Sequence, residues 1–472
     1  MAFPASGEDP DPHVPADAVA ELAAGVAGEV FRPGDAGYAA ESATFNLAVT
    51  HHPAVVVGAA EAGDVQAAVR FATAHGLAVG VLSTGHQAIV PADGAVLITT
   101  RRMSAVTVDP RSRTAVVQAG ARAGQVMDGA VPLGLAPIVG SSPSVGVVGF
   151  TLGGGLSPTF GRPFGWAADY VRAIEVVTAD GRLRRTTAEQ EPDLFWALRG
   201  SRSNMGVVTA LEVELHDVVR LYGGGLFFSG EDTAAVMHAY HRFTADVPDA
   251  LTSSVALMRL PDVPSVPEVL RGRFMVHLRI AHLGSAAEGD RLVAPLRQAA
   301  PVVLDTLGDM SIADFASIHL DPTDPIYFRE WTEMLAGLTS EGIDSIVDVA
   351  GPGAEDAVEF IELRHLGGAL GRQMGMPNAV GSRDADFAVW IMSMGPASEG
   401  DPQHAYAERV LARLQPWATG RAYLNFSSDT TAEEVEEGYT PEAYARLRTV
   451  KSTYDPANVF RLNHNIPPNG GT

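Results

Sequence analysis

From Ala54 the chain sets short apolar runs against amphipathic stretches. AVVVGAA has the β-branched and small residues of a buried strand. In Asp64 to His75, Val65, Val69 and Ala72 recur at helical spacing, and Gly76 stands where a helix end favours a left-handed residue. LAVGVLS reads as a second strand, so the segment predicts a β-α-β unit ending in the loop Ser83-Thr84-Gly85-His86-Gln87. Loops at the carboxyl ends of strands are where ligands gather in α/β folds. Strands are expected again at Ala95 to Thr99, Ala105 to Val108, Thr114 to Ala119 and Val171 to Thr178. A short helix in LFWALRG and a strand in VVTALEVELH follow. Between them Gly140 to Gly155, GSSPSVGVVGFTLGGG, reads as a long loop.

Near Asp217 the texture changes. GGGLFF, RFMVHLRIA, FIELRHLGGA and DFAVWIMSM read as strands, and Gly289 to Ala299 and His404 to Leu414 as amphipathic helices. Strict β-α alternation is lost, which predicts an α+β domain on an antiparallel sheet. The expected organisation is a flexible leader over 1–20, one domain over 21–216, a second over 217–420, and a segment over 421–472 that returns to the first.

Composition narrows the function classes. The 472 residues carry 56 acidic against 33 basic side chains, a formal charge of -23 that would repel a phosphate backbone, so no nucleic-acid partner is expected. There is no cysteine, which excludes disulfides, thiol nucleophiles, cysteine-ligated clusters and cysteinyl cofactor links. No metal site is expected. No apolar run reaches the roughly 18 residues of a membrane span. The leader MAFPASGEDPDPHVPADAVAELAAG is acidic and proline-rich, without a basic region ahead of an apolar stretch. A soluble cytoplasmic protein is expected, with a short Ala-rich helix closing the leader.

Two glycine-rich loops at strand ends carry the strongest chemical signal. Glycine lets backbone N–H groups close around an anion such as a dinucleotide pyrophosphate, although the same residues also make tight turns. A strand-GxGxxG-helix fingerprint and a Walker loop are both absent.

STGH with ADGAVLITTRRM, then GLAPIVGSSPSVGVVGFTLGGGL, GWAADYV, VVTADG, PDLFWALRG and GVVTALE occur in an order that resembles the FAD-binding domain of the berberine-bridge-enzyme-like oxidases. That family lies within the vanillyl-alcohol-oxidase superfamily, whose FAD-binding domain is of the PCMH type. YLNFSSD and VKSTYDPANVFRLNHNIPP resemble its closing signature, and IELRHLGGAL resembles a motif of its bacterial branch. The resemblance implies an α+β fold: a two-subdomain FAD-binding domain, here 21–216, and an antiparallel-sheet substrate domain over the flavin ring.

It also implies residue roles. His86 matches the histidine joined covalently to the flavin, a bond that favours hydride abstraction by withdrawing electron density. Ser142 stands where many relatives hold a second, cysteinyl link, so at most one bond to FAD is possible. Ser83, Thr84, Gly85, His86 and Gln87, with Val145, Gly146, Gly149, Thr151, Gly153, Gly154 and Gly155, are expected to cradle the pyrophosphate and ring edge. Gly206 and Val208 match the adenine side; Asn463 and Asn465 match the closing asparagines near the isoalloxazine, or serve as turn formers before Pro467. Ser201-Arg202-Ser203 replaces the usual glycine run.

For the proton acceptor, Tyr423 resembles the first tyrosine of the family's YxNY element, whose second tyrosine is Phe426 here. Period-two alternation places Ala388, Trp390 and Met392 on one strand face. Trp390 falls where plant members hold Glu or Gln, which leaves an apolar, aromatic pocket of Trp390, Met392 and Phe426 without the usual acid. Glu362 and Arg364 share a face of the neighbouring strand, with His365 on the other; they read either as a replacement base or as a structural ion pair. Two functions follow. One is an FAD-dependent oxidase taking hydride from a carbon next to OH or NH, or an activated C–H, of a hydrophobic natural-product-like molecule, with dioxygen reoxidising the flavin. The other is a redox-neutral cyclisation or isomerisation in a flavin-bound cavity.

Overall fold

The computed structural model describes residues 14–354, 359–396 and 401–470, so the first thirteen residues of the expected leader lie outside the described residues. The expected short Ala-rich helix is present as Ala16–Ala24, starting inside the expected leader and running past its end. Among the described residues the strands form three sheets, each drawn from one continuous stretch of chain.

The first sheet contains β1 (Glu29–Phe31), β2 (Val55–Gly58), β3 (Val79–Leu82) and β4 (Val96–Thr99) in the order β1-β2-β4-β3. The helix Ala62–Ala74 links β2 to β3, and Gly76 has φ 68° just past its end. The β-α-β unit has one correction: β2 and β3 do not touch, because β4 inserts between them and pairs in parallel with both. The sequence shows where strands are but not which are neighbours. Val55, Val57, Val79, Val96 and Ile98 are buried against Val65, Val69 and Ala72 of the helix.

The second sheet, β5 (Val106–Asp109), β6 (Thr114–Gln118), β7 (Val171–Val177), β8 (Leu183–Thr186) and β9 (Val207–Glu214), runs β5-β6-β9-β7-β8. The expected long loop at Gly140–Gly155 is only partly a loop. Val147–Leu152 forms a short helix whose Val147, Val148, Thr151 and Leu152 are buried. Burial of those side chains outweighs the low helix propensity of Val, Gly and Thr.

The third sheet is antiparallel throughout, joining β10 (Arg220–Ser229), β11 (Leu251–Arg259), β12 (Phe274–His282), β13 (Val302–Asp305), β14 (Gly308–Ser311), β15 (Phe328–Leu335), β16 (Phe360–His365) and β17 (Phe387–Met394). β11 and β15 had no counterpart in the sequence pattern, nor had the helices Thr233–Thr244 and Ser340–Ala350. These two helices, with Ala286–Arg297 and Pro402–Leu414, cover one face, where Ile361, Leu363, Val389, Ile391 and Trp331 pack against them. Successive side chains alternate across a sheet, so Phe360, Glu362, Arg364, Ala388, Trp390, Met392 and Glu330 all project from the opposite face. The C-terminal helix Pro441–Tyr454 packs Tyr444, Leu447 and Val450 into the core of the second sheet, and Val459 and Phe460 enter that of the first.

Candidate active site

A cavity of about 320 Å3 lies where the polar face of the third sheet meets the two glycine-rich loops. Of the residues singled out from the sequence, Ser83, Thr84, Gly85, His86, Gln87, Ser142, Val145, Gly146, Gly149, Gly206, Val208 and Asn463 line it, as do Trp390, Met392, Tyr423 and Phe426. Thr151, Gly153, Gly154, Gly155 and Asn465 do not. Thr151 packs into the core as part of the short helix, and a Cβ at Gly153 would collide with the Asn425 amide, so this glycine permits packing behind the cavity wall. Gly85, at φ 77°, turns the first loop so closely that a Cβ would meet Thr44 Cα at 2.8 Å.

His86 stacks on Phe45 at 3.7 Å between ring centroids. Its Nδ1 lies 2.9 Å from Thr84 Oγ1 and its Nε2 3.2 Å from Ser144 Oγ, which in turn is 2.8 Å from Ser142 Oγ. Burial, helped by the charge of Arg122, pulls the imidazole down to about 4, so at neutral pH one ring nitrogen carries a free lone pair.

Glu362 does not line the cavity, and a role as base is corrected to a structural one. It is fully buried, its Oε1 accepting from Ser254 Oγ at 2.5 Å and Arg279 Nη1 at 2.9 Å, its Oε2 from Arg364 Nε at 2.8 Å. Burial alone would raise its carboxyl, but Arg364 and Arg279 outweigh burial and hold it far below the usual carboxylate range. Such a group cannot accept a proton near neutrality. Tyr423 is buried, and its hydroxyl accepts from the Leu156 N–H at 2.9 Å and Asn425 Nδ2 at 3.2 Å, while burial raises its pKa.

The expectation of a pocket without an acid also needs correction, because the acid comes from the strand that the sequence did not reveal. Glu330 on β15 faces Met392 across the ladder and reaches diagonally to Trp390. Gln87 Nε2 donates to its Oε1 at 2.9 Å and Trp390 Nε1 to its Oε2 at 3.0 Å. It is 3% exposed, and burial raises its carboxyl to about 8 despite those two donors and the nearby Arg202 and Arg364. FREWTEML reads as a charged surface stretch, and its apolar Phe328, Trp331, Met334 and Leu335 fall at helix-like spacing, so no period-two alternation marks the strand. Arg364 and Arg202, which the sequence set apart without a place in the cavity, also line it. Arg364 Cζ lies 4.7 Å from the Phe426 ring centroid and 5.0 Å from that of Trp390, and these two rings stack at 4.6 Å.

Buried polar atoms test what the cavity holds. Ser83 Oγ, Gln87 Oε1 and Asn463 Oδ1 line it and have no hydrogen-bond partner among the described residues. Buried polar atoms rarely stay unpaired, so this lining fits a long ligand with hydrogen-bonding groups spaced along it, as a flavin dinucleotide has. Among the described residues no group of side chains is placed to hold a metal ion, and no helix is long and apolar enough to cross a membrane.

Known proteins agree with that chemistry. The family profile described as an FAD binding domain matches residues 53–187, and the one described as berberine and berberine like matches residues 422–467. The chain is 29% identical to (R)-6-hydroxynicotine oxidase of Paenarthrobacter nicotinovorans, over 94% of this chain and 98% of that protein. It is 26% identical to xylooligosaccharide oxidase of Thermothelomyces thermophilus, over 91% and 90%. The crystal structure of 6-hydroxy-D-nicotine oxidase from Arthrobacter nicotinovorans superposes with a TM-score of 0.79 at 27% identity, covering 93% of this chain and 98% of that one. BBE-like 1 of Physcomitrella patens shares the fold at TM-score 0.80 and 20% identity, covering 94% and 97%. With a matching FAD-binding profile, a matching berberine-like profile at the C-terminal end, oxidases similar from end to end and a cavity built from both glycine-rich loops, the chain is an FAD-linked oxidoreductase.

Proposed function

We propose that the chain is an FAD-dependent oxidase that removes a hydride from a carbon bearing OH or NH, with Glu330 as the proton acceptor. The observation that carries this reading is the Glu330 carboxylate, buried in the cavity and bonded to Gln87, the neighbour of His86 in sequence. Bound there, FAD supplies the two-electron acceptor for the hydride. Ser83, Thr84, Gly85, Gln87, Ser142, Val145, Gly146 and Gly149 would hold its phosphates and ring edge, Gly206 and Val208 its adenine side, and Asn463 its ring system. The neutral His86 imidazole has the free lone pair that a covalent tether requires, and no second link is available in a chain without cysteine.

The proton balance falls to the protein. Oxidation of H–C–OH to C=O releases one hydride and one proton; the ionised form of Glu330 takes the proton from the hydroxyl or amine. Gln87 and Trp390 donate to both carboxylate oxygens and so orient the group. Tyr423 accepts two hydrogen bonds, which leaves its own proton free to donate to the substrate oxygen or nitrogen. Trp390, Met392 and Phe426, with Phe328 and Ile326, form an apolar wall that excludes water and suits a hydrophobic natural product as substrate. Dioxygen is the proposed final acceptor. The redox-neutral alternative rested on a missing acid, and Glu330 removes that motive.

The purified protein should be yellow, and anaerobic addition of aryl-substituted secondary alcohols and amines should bleach it, with air restoring the colour. Glu330→Gln should slow the bleaching by about 10²–10⁴-fold while the protein stays yellow. Protein that is colourless and takes up no added FAD overturns the reading; unchanged bleaching in Glu330→Gln overturns the role of this residue.

A further inference from the structure

The largely apolar wall of the cavity opposite the glycine-rich loops carries one buried guanidinium, that of Arg364, in a protein whose net charge is -23. Its counter-ion is shared. Arg279 and Arg364 both bond to Glu362, so one carboxylate serves two guanidinium groups and one positive charge is left over. The imidazoles beside Arg279, His277 and His319, are kept neutral by burial and by that same guanidinium, and contribute no negative charge. Arg202 adds a second cation to the cavity lining, its Nη1 donating to the Leu424 carbonyl at 2.6 Å. Among the described residues, besides Glu330, the cavity is bordered by one further carboxylate, Asp321, on the loop that leads into β15.

Arg364 is the guanidinium placed to use this surplus. It is 4% exposed, and its Nε and Nη2 are spent on Glu362 Oε2, both at 2.8 Å. Nη1 has no acceptor among the described residues. A void of about 10 Å3 that Arg364 also borders, with Thr252 and Ser254, has room for one water and brings no charge. A buried cation left partly unpaired is costly unless a ligand completes it. Arg364 lines the cavity beside the stacked Trp390 and Phe426, its Cζ 5.0 Å and 4.7 Å from their ring centroids, so the guanidinium borders ligand space next to an aromatic wall.

We propose that the substrate of this cavity carries a carboxylate that binds Arg364, with its apolar body against Trp390 and Phe426. The proposal rests on the reading of this cavity as the substrate chamber and deepens it. Arg364 and Glu330 both border Trp390, the guanidinium 5.0 Å from its ring centroid and the carboxylate on its Nε1, so the substrate's anion and its oxidisable OH or NH are separated by about the width of this side chain.

Calorimetric titration of the purified holoenzyme with benzoate, benzamide and benzylamine tests this, because the three probes match in size and differ in charge. Benzoate should bind at least about ten-fold more tightly than benzamide, with benzylamine weakest. Arg364→Met should reduce benzoate to the affinity of benzamide, and Arg364→Lys should restore part of the difference. Equal affinity of the wild type for benzoate and benzamide, a comparison that needs no variant, overturns the proposal; so does full benzoate affinity in a folded Arg364→Met. Visible absorption of the same samples separates the two readings. Colourless protein that still prefers benzoate would sink the flavin reading alone, and yellow protein indifferent to charge would sink this one alone.

Discussion

Glu330 makes a prediction that needs no substrate. Its carboxyl is raised from 4.5 in the unfolded chain to about 8 in the folded one, chiefly by burial. Between those values the folded protein holds a proton that the unfolded chain has released, so stability falls as pH rises. The penalty is absent below the unfolded pKa and complete above the folded one, where linkage sets it at roughly 5 kcal/mol. Glu330→Gln keeps the shape and removes the charge. It also exchanges one acceptor for an NH2 group facing Gln87 Nε2 or Trp390 Nε1, a pH-independent cost of about 1–3 kcal/mol if nothing adjusts. Gln87 can adjust, since its Oε1 has no partner among the described residues and turning the amide would present it as an acceptor. The signature is therefore the slope and not the offset. In urea denaturation between pH 5 and pH 9, the stability of Glu330→Gln relative to wild type should climb by several kcal/mol, most of it before pH 8. A difference that is flat across this range, or one that falls, would refute the assignment of Glu330 as a buried, proton-holding carboxyl and with it the case for its role as base.

Other perturbations report on neighbouring parts of the site. Trp390→Phe removes a donor that favours the ionised carboxylate, so the rise of kcat/KM with pH, centred near 8 in the wild type, should move to higher pH. An unmoved profile would mean that another group controls it. Acid precipitation should leave yellow colour on the wild-type polypeptide and release it from His86→Ala; colour wholly in the wild-type supernatant would refute the tether. Glu362→Gln leaves Arg279 and Arg364 buried without a carboxylate and should cost about 3–5 kcal/mol in denaturation, whereas a neutral change would undo the shared counter-ion argument. Tyr423→Phe strands the Leu156 N–H and should cost about 1–3 kcal/mol of stability, which the same denaturation measurement checks.

Local pattern alone determined a good deal of this molecule. Helical spacing and a positive-φ glycine identified the helix Ala62–Ala74 and its end, and period-two alternation put Trp390 and Met392 on the face that lines the cavity. The ordered motifs pointed to an FAD-linked oxidoreductase and singled out His86, Gln87, Ser142, Gly146 and Asn463, which line one cavity. These features are written in adjacent residues, where one side chain constrains the next. What only the tertiary structure decided depends on partners distant in the chain. β4 separates β2 from β3, the apolar stretch after Gly146 becomes helical because its side chains find a core, and Glu362 is a counter-ion because Arg279 lies beneath it. Above all, Glu330 is 3% exposed and bonded to Gln87, 243 residues away in sequence. A carboxylate reads as a surface residue until the fold removes it from water, and that desolvation gives this one its chemistry.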